Sequence, residues 1–259
     1  MKGIVLAGGL GTRLYPMTKI ISKHLLPVYD KPMIFYPLAT LIQAGIRDIL
    51  LVTAPQETEN FQKLLGNGNT FGINLQYGIQ FVPNGIAGAL LLCREFIGDD
   101  ACTVILGDNF FDGNSLIDLM KKAFSDAENG LASVFLSHVA DPCQFGVAEL
   151  NEKGNILSLE EKPVYPKSDL AITGLYCYPR GVCEQIMHLS PSARGELEMT
   201  ALNDLYRKQD KLKTCLMEKD STWMDMGTPE NLFRAASFIR EKVLQGISVG
   251  LSEERKAKQ

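Results

Sequence analysis

The first 106 residues alternate short apolar runs with segments of helical periodicity, and this alternation restricts the fold more than any other feature. Strands are predicted at residues 3–6, 48–53, 74–80 and 102–106, with helices between them at 31–44, 57–65 and 86–96. The run at 48–53 is apolar on both faces, which is typical of parallel strands covered by helices. The β-α-β-α-β-α-β order therefore predicts an α/β fold with a mostly parallel central sheet and helices on both faces.

In the second half of the chain, strands follow one another more closely. Strands are predicted at residues 132–139, 145–150, 156–162, 172–178 and 212–217, and helices at 182–187, 200–209 and 229–244. The turn-rich residues 151–155 predict a hairpin between two of these strands. Since the sequence shows neither repeats nor a linker, we expect one continuous domain with a β-rich insertion, followed by a loose polar tail at 252–259.

Composition excludes several classes of protein. Apolar residues make up 46% of the 259 residues and charged residues 22%, which argues against a disordered, collagen-like or coiled-coil chain. The formal net charge of −4 argues against a general nucleic-acid-binding protein. The sequence has no apolar run long enough for a transmembrane helix and no signal-peptide pattern at its start. We therefore expect a cytoplasmic protein without a membrane partner.

The six cysteines predict buried thiols rather than a disulfide framework or a zinc site. No Cys-x-x-Cys pair occurs, and most of the cysteines lie in apolar stretches. The three histidines, His24, His138 and His188, are far apart in the sequence. We expect free thiols in a reducing cytosol.

A glycine-rich loop follows the first strand directly. Gly8, Gly9 and Gly11 let the backbone approach a ligand closely, and exposed N–H groups in such a turn can hold an anion. A tight strand-to-helix turn is the alternative interpretation. Arg13 and Lys23 add two cations suited to phosphate oxygens. Because the spacing matches neither a Walker A loop nor a dinucleotide fingerprint, the loop predicts a triphosphate site of another class.

Two aspartates are placed to hold a divalent cation. Asp108 follows the strand at 102–106, and ligands in open α/β sheets bind at the carboxyl ends of strands. Asp225 lies beside Trp223, the only tryptophan of the chain. Two carboxylates completed by waters and phosphates are typical of a Mg²⁺ site. The alternatives are a strand-end turn at Asp108 and a helix-capping segment around Asp225.

A pair of opposite charges, Glu161 and Lys162, ends the predicted strand at 156–162. A carboxylate suits sugar hydroxyls, and an ammonium group suits a sugar phosphate. A solvated charge run before a proline is the alternative interpretation. Gly146 and Gly174 in neighbouring segments permit close approach and favour the site.

Taken together, these blocks resemble the sugar-phosphate nucleotidyltransferases, and among them the short bacterial glucose-1-phosphate thymidylyltransferases. The resemblance covers about residues 1–240. The matching blocks are residues 3–9, 11–14, 22–23, 25–27, 30–34, 107–109, 160–163 and 191–198. The resemblance implies a Rossmann-like nucleotidyltransferase fold, a homotetramer, and transfer from dTTP to α-D-glucose 1-phosphate that gives dTDP-glucose and diphosphate. It also implies a place at the first step toward dTDP-L-rhamnose, with dTDP-rhamnose as a feedback inhibitor.

The resemblance also assigns roles to individual residues. It implies nucleotide contacts by Leu6, Gly8, Gly9, Gly11, Thr12, Arg13, His24, Gln80, Pro83 and Gly85. It implies a sugar-phosphate pocket formed by Phe145, Gly146, Glu161, Lys162, Ile172 and Trp223. Asp108 and Asp225 are implied as Mg²⁺ ligands, and Arg13, Lys23 and Lys162 as catalytic residues. The nucleotide-binding part then spans about residues 1–130, the sugar-phosphate part about 131–228, and a helix end with a tail 241–259.

Four positions depart from the pattern that is usual in the thymidylyl members of the family. His24 and Gly88 each stand in place of a glutamine near the nucleotide, so UTP and CTP stay open as alternatives to dTTP. Phe145 stands in place of a tyrosine and removes one hydroxyl, so another sugar phosphate, including an amino sugar, stays open. Met226 stands in place of a threonine. A non-catalytic sugar-nucleotide sensor on the same fold is the alternative of another class.

Overall fold

The computed structural model describes residues 1–218 and 220–252. The strands of this part are β1 (Lys2–Ala7), β2 (Pro27–Val28), β3 (Lys31–Pro32), β4 (Asp48–Thr53), β5 (Asn74–Ile79), β6 (Cys102–Leu106), β7 (Asn109–Asp112), β8 (Ala132–His138), β9 (Gly146–Leu150), β10 (Ile156–Glu161), β11 (Leu170–Tyr178), β12 (Leu212–Leu216) and β13 (Thr222–Asp225). Its α-helices are α1 (Phe35–Gln43), α2 (Thr58–Leu65), α3 (Ile86–Leu91), α4 (Arg94–Ile97), α5 (Asn114–Glu128), α6 (Val182–Ile186), α7 (Met199–Lys208) and α8 (Pro229–Leu244).

A mixed sheet forms the centre of the molecule. In its parallel half, β1 lies between β6 and β4, and β4 also pairs with β5. In its other half, β11 pairs antiparallel with β6, β8 and β9, and β9 and β10 form the predicted antiparallel hairpin. β12 adds to β8 in parallel. The predicted α/β fold with a β-rich insertion is confirmed.

Side chains of β1 alternate between two apolar layers, as strand geometry requires. Val5 and Ala7 face a cluster that contains residues of α1 and α5, whereas Ile4 and Leu6 face a cluster with residues of α3, α6 and α7. Helices therefore cover both faces of the sheet, as predicted. A third apolar cluster joins α8 to the small ribbon of β2 and β3.

The helix predicted at 31–44 is wrong at its start. Lys31 and Pro32 pair with β2, and α1 begins only at Phe35. The residue before a proline is pushed toward extended backbone, which disfavours helix at Lys31. Pro37 is tolerated because it lies in the first turn of α1, where backbone N–H groups have no helical partner.

The helix predicted at 86–96 is also wrong, because it is interrupted. α3 ends at Leu91 and α4 begins at Arg94. Between them the Cys93 N–H donates to the carbonyl of Leu90, a tightened i to i−3 bond, and the Cys93 thiol donates to Ala89 O. Five elements were not predicted from the sequence, namely β2, β3, β7, α5 and β13.

The thiol prediction agrees with the structure. All six cysteines are free, and all but Cys143 are buried. Within residues 1–218 and 220–252, no helix has the length and apolar character that crossing a membrane would require. Of the tail predicted at 252–259, residues 253–259 lie outside the described residues.

Candidate active site

A cavity of about 490 Å³ lies at the carboxyl ends of β1 and β6 and extends to β11 and β13. It brings together residues from both halves of the chain. The predicted site residues that line it are Leu6, Gly8, Gly9, Arg13, Lys23, His24, Gln80, Pro83, Gly85, Asp108, Phe145, Gly146, Glu161, Lys162, Ile172, Trp223 and Asp225. Parallel pairing explains the contribution of the first half, since the carboxyl ends of β1 and β6 share one edge of the sheet. The antiparallel pairing of β11 with β6 brings Ile172 and Gly174 to the same edge.

Gly11 and Thr12 do not line the cavity but form the loop behind it. Gly11 has a φ of 65°, a left-handed conformation that favours glycine, and Thr12 begins a single turn of 3-10 helix. A Cβ atom on Gly11 would lie 3.1 Å from Cβ of Lys23. The loop therefore packs against the stem of Lys23 and carries Arg13 to the cavity.

Lys23 and Asp108 form an ion pair at the centre of the cavity. Asp108 is buried, and burial alone would raise the pKa of its carboxyl. The Lys23 ammonium and the side-chain amide of Asn109 outweigh burial and hold the pKa of Asp108 well below its usual range. The Asp108 carboxylate is therefore ionised at neutral pH.

Arg13 and Asp225 form the second ion pair. Their Nη2 and Oδ2 atoms are 3.2 Å apart, and the other oxygen of Asp225 accepts the N–H of Gly227 at 2.9 Å. Burial and the negative charge of Asp108 raise the pKa of Asp225, while Arg13 opposes that rise. Two acidic groups thus share one wall of the cavity, each held by a cation.

His24 is neutral and buried beside the Lys23–Asp108 ion pair. Its Nδ1 is 3.0 Å from the hydroxyl oxygen of Ser22. Burial, and then the charge of Lys23, lowers the pKa of His24 to about 3. An uncharged imidazole therefore stands at the position where the resemblance implied an uncharged glutamine.

Gly88 is explained by a neighbouring side chain. A Cβ atom at position 88 would lie 2.3 Å from Oδ1 of Asn84, so a larger residue would displace Asn84. The Asn84 Oδ1 accepts from Nε2 of Gln80 at 3.4 Å. Gln80 lines the cavity, so the amide of Asn84 lies directly behind a residue of the cavity wall.

Hydrogen bonds hold the side chain of Glu161, which belongs to the second half of the chain, in place. Thr200 Oγ1 donates to Glu161 Oε2 at 2.5 Å, and Arg194 Nη2 lies 3.4 Å from Glu161 Oε1. Lys162 has a φ of 46°, in the left-handed region. Residues other than glycine seldom adopt this conformation, and those that do are often found at functional sites. The Lys162 N–H donates to the carbonyl of Phe145 at 3.0 Å, which joins the two segments.

An aromatic pair closes the same end of the cavity. The rings of Phe145 and Trp223 pack edge to face, with centroids 5.1 Å apart. The indole N–H of Trp223 donates to Oδ1 of Asn109 at 2.6 Å. The resemblance implied both residues as members of the sugar-phosphate pocket, and the structure brings their rings into contact.

Several cavity residues had no predicted role. They are Ile86, Ala89, Leu106, Asn109, Gln144, Tyr176, Arg194, Glu196, Glu198, Met199 and Thr200. Gly174, which was predicted to permit close approach, also lines the cavity. Asn109, Arg194, Glu196 and Glu198 lie in the blocks 107–109 and 191–198 that carried the family resemblance, so that signal was present in the sequence. The apolar members carried no signal that separates them from core residues.

The carboxylates fit a hard divalent cation that is completed by substrate oxygens. Among residues 1–218 and 220–252, no cluster of three or more His, Cys, Asp or Glu side chains could hold a metal by itself. Asp108 and Asp225 supply two oxygen donors on one wall. Mg²⁺ is usually bound by one or two carboxylates, phosphates and waters, so this donor set suits it.

Comparison with known proteins places the chain among its relatives. The sequence profile of the family described as Nucleotidyl transferase matches residues 2–242. The chain belongs to the nucleotidyl transferase family. It is therefore an enzyme of that family, and the fold and resemblance predicted from its sequence are confirmed.

Curated relatives match this nucleotidyl transferase over almost its whole length. The glucose-1-phosphate thymidylyltransferase of Neisseria gonorrhoeae is 49% identical over 255 residues, which are 98% of this chain and 88% of the relative. The glucose-1-phosphate thymidylyltransferase of Xanthomonas campestris pv. campestris (strain B100) is 47% identical over 254 residues, which are 98% of this chain and 85% of the relative.

Solved structures share the fold of this nucleotidyl transferase. A Bacillus anthracis protein, provisionally described as a glucose-1-phosphate thymidylyltransferase in complex with a sucrose, has a TM-score of 0.87 and 42% identity. That likeness covers 97% of this chain and 98% of the other. A UDP-glucose pyrophosphorylase complexed with UDP-glucose has a TM-score of 0.82 at 24% identity, over 93% of this chain and 98% of the other, and supports the fold alone.

Proposed function

We propose that this nucleotidyl transferase moves a thymidylyl group from dTTP to α-D-glucose 1-phosphate, giving dTDP-glucose and diphosphate. One observation carries the proposal. A single cavity holds the glycine-rich loop, two pairs of cation and carboxylate, and the Glu161–Lys162 segment. Relatives at 44% to 49% identity that bear the name of this activity support the choice of substrates.

The nucleotide occupies the half of the cavity built from β1 and the loop that follows it. Backbone N–H groups around Gly8 and Gly9 suit phosphate oxygens, and Arg13 adds a fixed positive charge. Leu6 and the segment with Gln80, Pro83 and Gly85 then face the base and its ribose. Gly11 and Thr12 act through the shape of the loop.

The sugar phosphate occupies the half built from β9, β10, β11 and β13. The Glu161 carboxylate, fixed by Thr200, accepts hydrogen bonds from sugar hydroxyls. The Lys162 ammonium pairs with the phosphate. Gly146 and Ile172 shape the pocket wall, and the Phe145–Trp223 pair covers its end.

The reaction is an in-line displacement without a covalent enzyme intermediate. An oxygen of the sugar phosphate forms a bond to the α-phosphorus of dTTP, and the bond from that phosphorus to the bridging oxygen breaks as diphosphate leaves. Since the attacking phosphate is already ionised, no general base is needed. The chain contributes mainly positioning and charge neutralisation, which its residues Arg13, Lys23 and Lys162 provide.

A divalent cation, which we propose is Mg²⁺, is held by Asp108 and Asp225. When bound, it supplies positive charge beside the α-phosphate and the leaving diphosphate. Arg13 and Lys23 then give up their carboxylate partners and turn to phosphate oxygens.

Isotope exchange tests the mechanism. A direct displacement predicts that labelled diphosphate enters dTTP only when the sugar nucleotide is present, because both products are needed for reversal. A nucleotidyl-enzyme intermediate would allow exchange between diphosphate and dTTP without any sugar. Exchange in the absence of sugar would therefore overturn the mechanism, while failure to form dTDP-glucose under any condition would overturn the choice of reaction.

The other parts of the proposal rest on family membership. They are a cytoplasmic location, a homotetramer, feedback binding of dTDP-rhamnose and a place at the first step of deoxysugar synthesis. Light scattering tests the assembly, since a tetramer has about four times the 28.6 kDa of the chain. A monomeric mass at working concentration would contradict it.

A further inference from the structure

Asn109 lies where the two halves of the cavity meet, and the sequence assigned it no role. It is 2% exposed and begins β7, directly after Asp108. β7 pairs with β13 so that Asn109 lies opposite Asp225. Trp223 and Asp225 are two positions apart on β13, so their side chains leave the strand on the same face. Asn109 therefore lies between Asp108 and Asp225, the proposed metal ligands, and Trp223 of the sugar pocket.

The Asn109 side chain makes three hydrogen bonds, and together they fix its orientation. Its Oδ1 accepts the N–H of Gly174 at 3.0 Å and the indole N–H of Trp223 at 2.6 Å. Both partners can only donate, so the oxygen of the amide must face them. Its Nδ2 therefore faces the other way and donates to Oδ1 of Asp108 at 3.0 Å.

The backbone of β11 is shaped to accept this side chain. A Cβ atom at position 174 would lie 2.5 Å from Oδ1 of Asn109, so the close approach requires a glycine there. The amide is thus enclosed by β11 on one side and by β13 on the other. Together with the hydrogen bond to Asp108, these contacts hold the amide from three sides and leave it little freedom to reorient.

We infer that Asn109 is a positioning residue that sets the Asp108 carboxylate with its amide nitrogen and the Trp223 ring with its amide oxygen. The inference rests on the proposed function, because it gives that site a residue that aligns its metal-binding and sugar-binding halves. Positioning groups behind functional side chains typically change activity by about 10- to 100-fold when they are lost.

Two variants separate the two ends of the amide. Asn109→Asp keeps an oxygen for Gly174 and Trp223 but turns a second oxygen toward the Asp108 carboxylate, where the charges repel. It is expected to lower kcat about 10- to 100-fold with little change in KM for glucose 1-phosphate. Trp223→Phe removes only the indole donor and keeps an aromatic ring beside Phe145. It is expected to raise that KM up to about 10-fold with a smaller change in kcat.

Trp223 provides a readout that does not depend on activity. It is the only tryptophan, so intrinsic tryptophan fluorescence reports on this side chain alone. Asn109→Ala is expected to shift the emission and to make it more accessible to acrylamide, whereas Asn109→Asp is expected to keep both near wild type. Asn114→Asp makes the same change at an exposed position of α5 and controls for the added charge.

The outcomes are distinguishable from failure of the proposed function. If wild type forms no dTDP-glucose, the fluorescence comparison of the Asn109 variants still tests the contact with Trp223. Unchanged fluorescence in folded Asn109→Ala overturns the inference. An Asn109→Asp variant that raises KM and leaves kcat unchanged also overturns it, because Asn109 would then act on the sugar directly. If Asn109→Ala does not fold, the kcat and KM of Asn109→Asp decide the question.

Discussion

The ammonium group of Lys23 is hydrogen-bonded to the carboxylate of Asp108, although the two residues are 85 positions apart in the chain. Their side chains are only 14% and 9% exposed. A charge held this far from water depends on its partner, and breaking a buried ion pair costs about 3–5 kcal/mol. The lysine therefore stabilises a carboxylate that a divalent cation takes over in the proposed reaction.

Replacing Lys23 should lower the stability of the fold and strengthen metal binding. In Lys23→Met, Asp108 loses its cation, and the free energy of unfolding is expected to fall by about 3 kcal/mol. Mn²⁺ without nucleotide is expected to raise the melting temperature of the variant more than that of wild type, because binding to the folded state stabilises it. Thermal melts with and without Mn²⁺ measure both effects.

The control for Lys23→Met is Lys63→Met, which breaks an exposed pair with Glu59. That change is expected to cost less than about 1 kcal/mol and to leave the Mn²⁺ response unchanged. An equal Mn²⁺ response in Lys23→Met and wild type would speak against Asp108 as a metal ligand.

Removing either carboxylate charge should stop turnover. Asp108→Asn and Asp225→Asn are expected to lower kcat roughly 100- to 1,000-fold, since each removes charge stabilisation from the reacting phosphates. Far-UV circular dichroism should show that the fold is kept. Asp118→Asn on the exposed face of α5 is the matched control and should behave as wild type. Near-normal turnover in Asp108→Asn would refute the metal site.

His24 makes the fold sensitive to acid. Its pKa is about 3 in the folded chain, against 6.5 for the unfolded reference, so the unfolded state binds the proton first. The contribution of neutral His24 to the free energy of unfolding is therefore fully present above about pH 6.5 and is lost as the pH falls toward 3. At pH 5 the loss from this one group is about 2 kcal/mol. In His24→Gln this part of the loss should vanish.

Urea denaturation at neutral and acidic pH measures the contribution of His24. His188→Gln, at an exposed position, is the control and should lose as much stability as wild type. If wild type and His24→Gln lost equal stability on acidification, the buried neutral histidine would not be the cause.

The thiols should differ sharply in reactivity. Burial raises the pKa of Cys93, Cys177 and Cys215 to about 12, so almost no thiolate is present at neutral pH. We expect one fast-reacting thiol per native chain, that of Cys143, and six after unfolding. A disulfide reagent that releases a coloured thiolate counts them. Fast reaction in Cys143→Ser would show that a buried thiol is accessible.

Local patterns account for much of the fold. β1, β4 and β6 are continuous apolar runs, and α8 begins at Pro229 after the cap at Thr228, so their bounds could be predicted closely. Residues 31–44 could not be divided correctly, since Lys31 and Pro32 pair with Pro27 and Val28 in strands of only two residues, which are too short to show a strand periodicity. α5 has apolar residues at a helical spacing, including Leu116, Met120 and Ala123, and this signal was present but missed.

The site shows a similar limit. Motifs could indicate some of the residues that line the cavity, such as Gly8 and Gly9 in the glycine-rich loop and Asp108 just after β6. They could not show that Lys23 pairs with Asp108 or Arg13 with Asp225, since these contacts cross 85 and 212 positions of sequence. The role of Asn109 likewise depends on two contacts that are distant in sequence, those with Gly174 and Trp223, and could not be inferred from motifs.

An assay of diphosphate release tests the proposed reaction and its nucleotide together. The purified protein is given Mg²⁺, glucose 1-phosphate and, in turn, dTTP, UTP, CTP, ATP or GTP. We expect release that depends on Mg²⁺ and on the sugar phosphate, with dTTP preferred by about 10-fold or more. Preference for UTP or CTP would keep the mechanism and refute the choice of base. No release with any of the five nucleotides would contradict the proposed reaction.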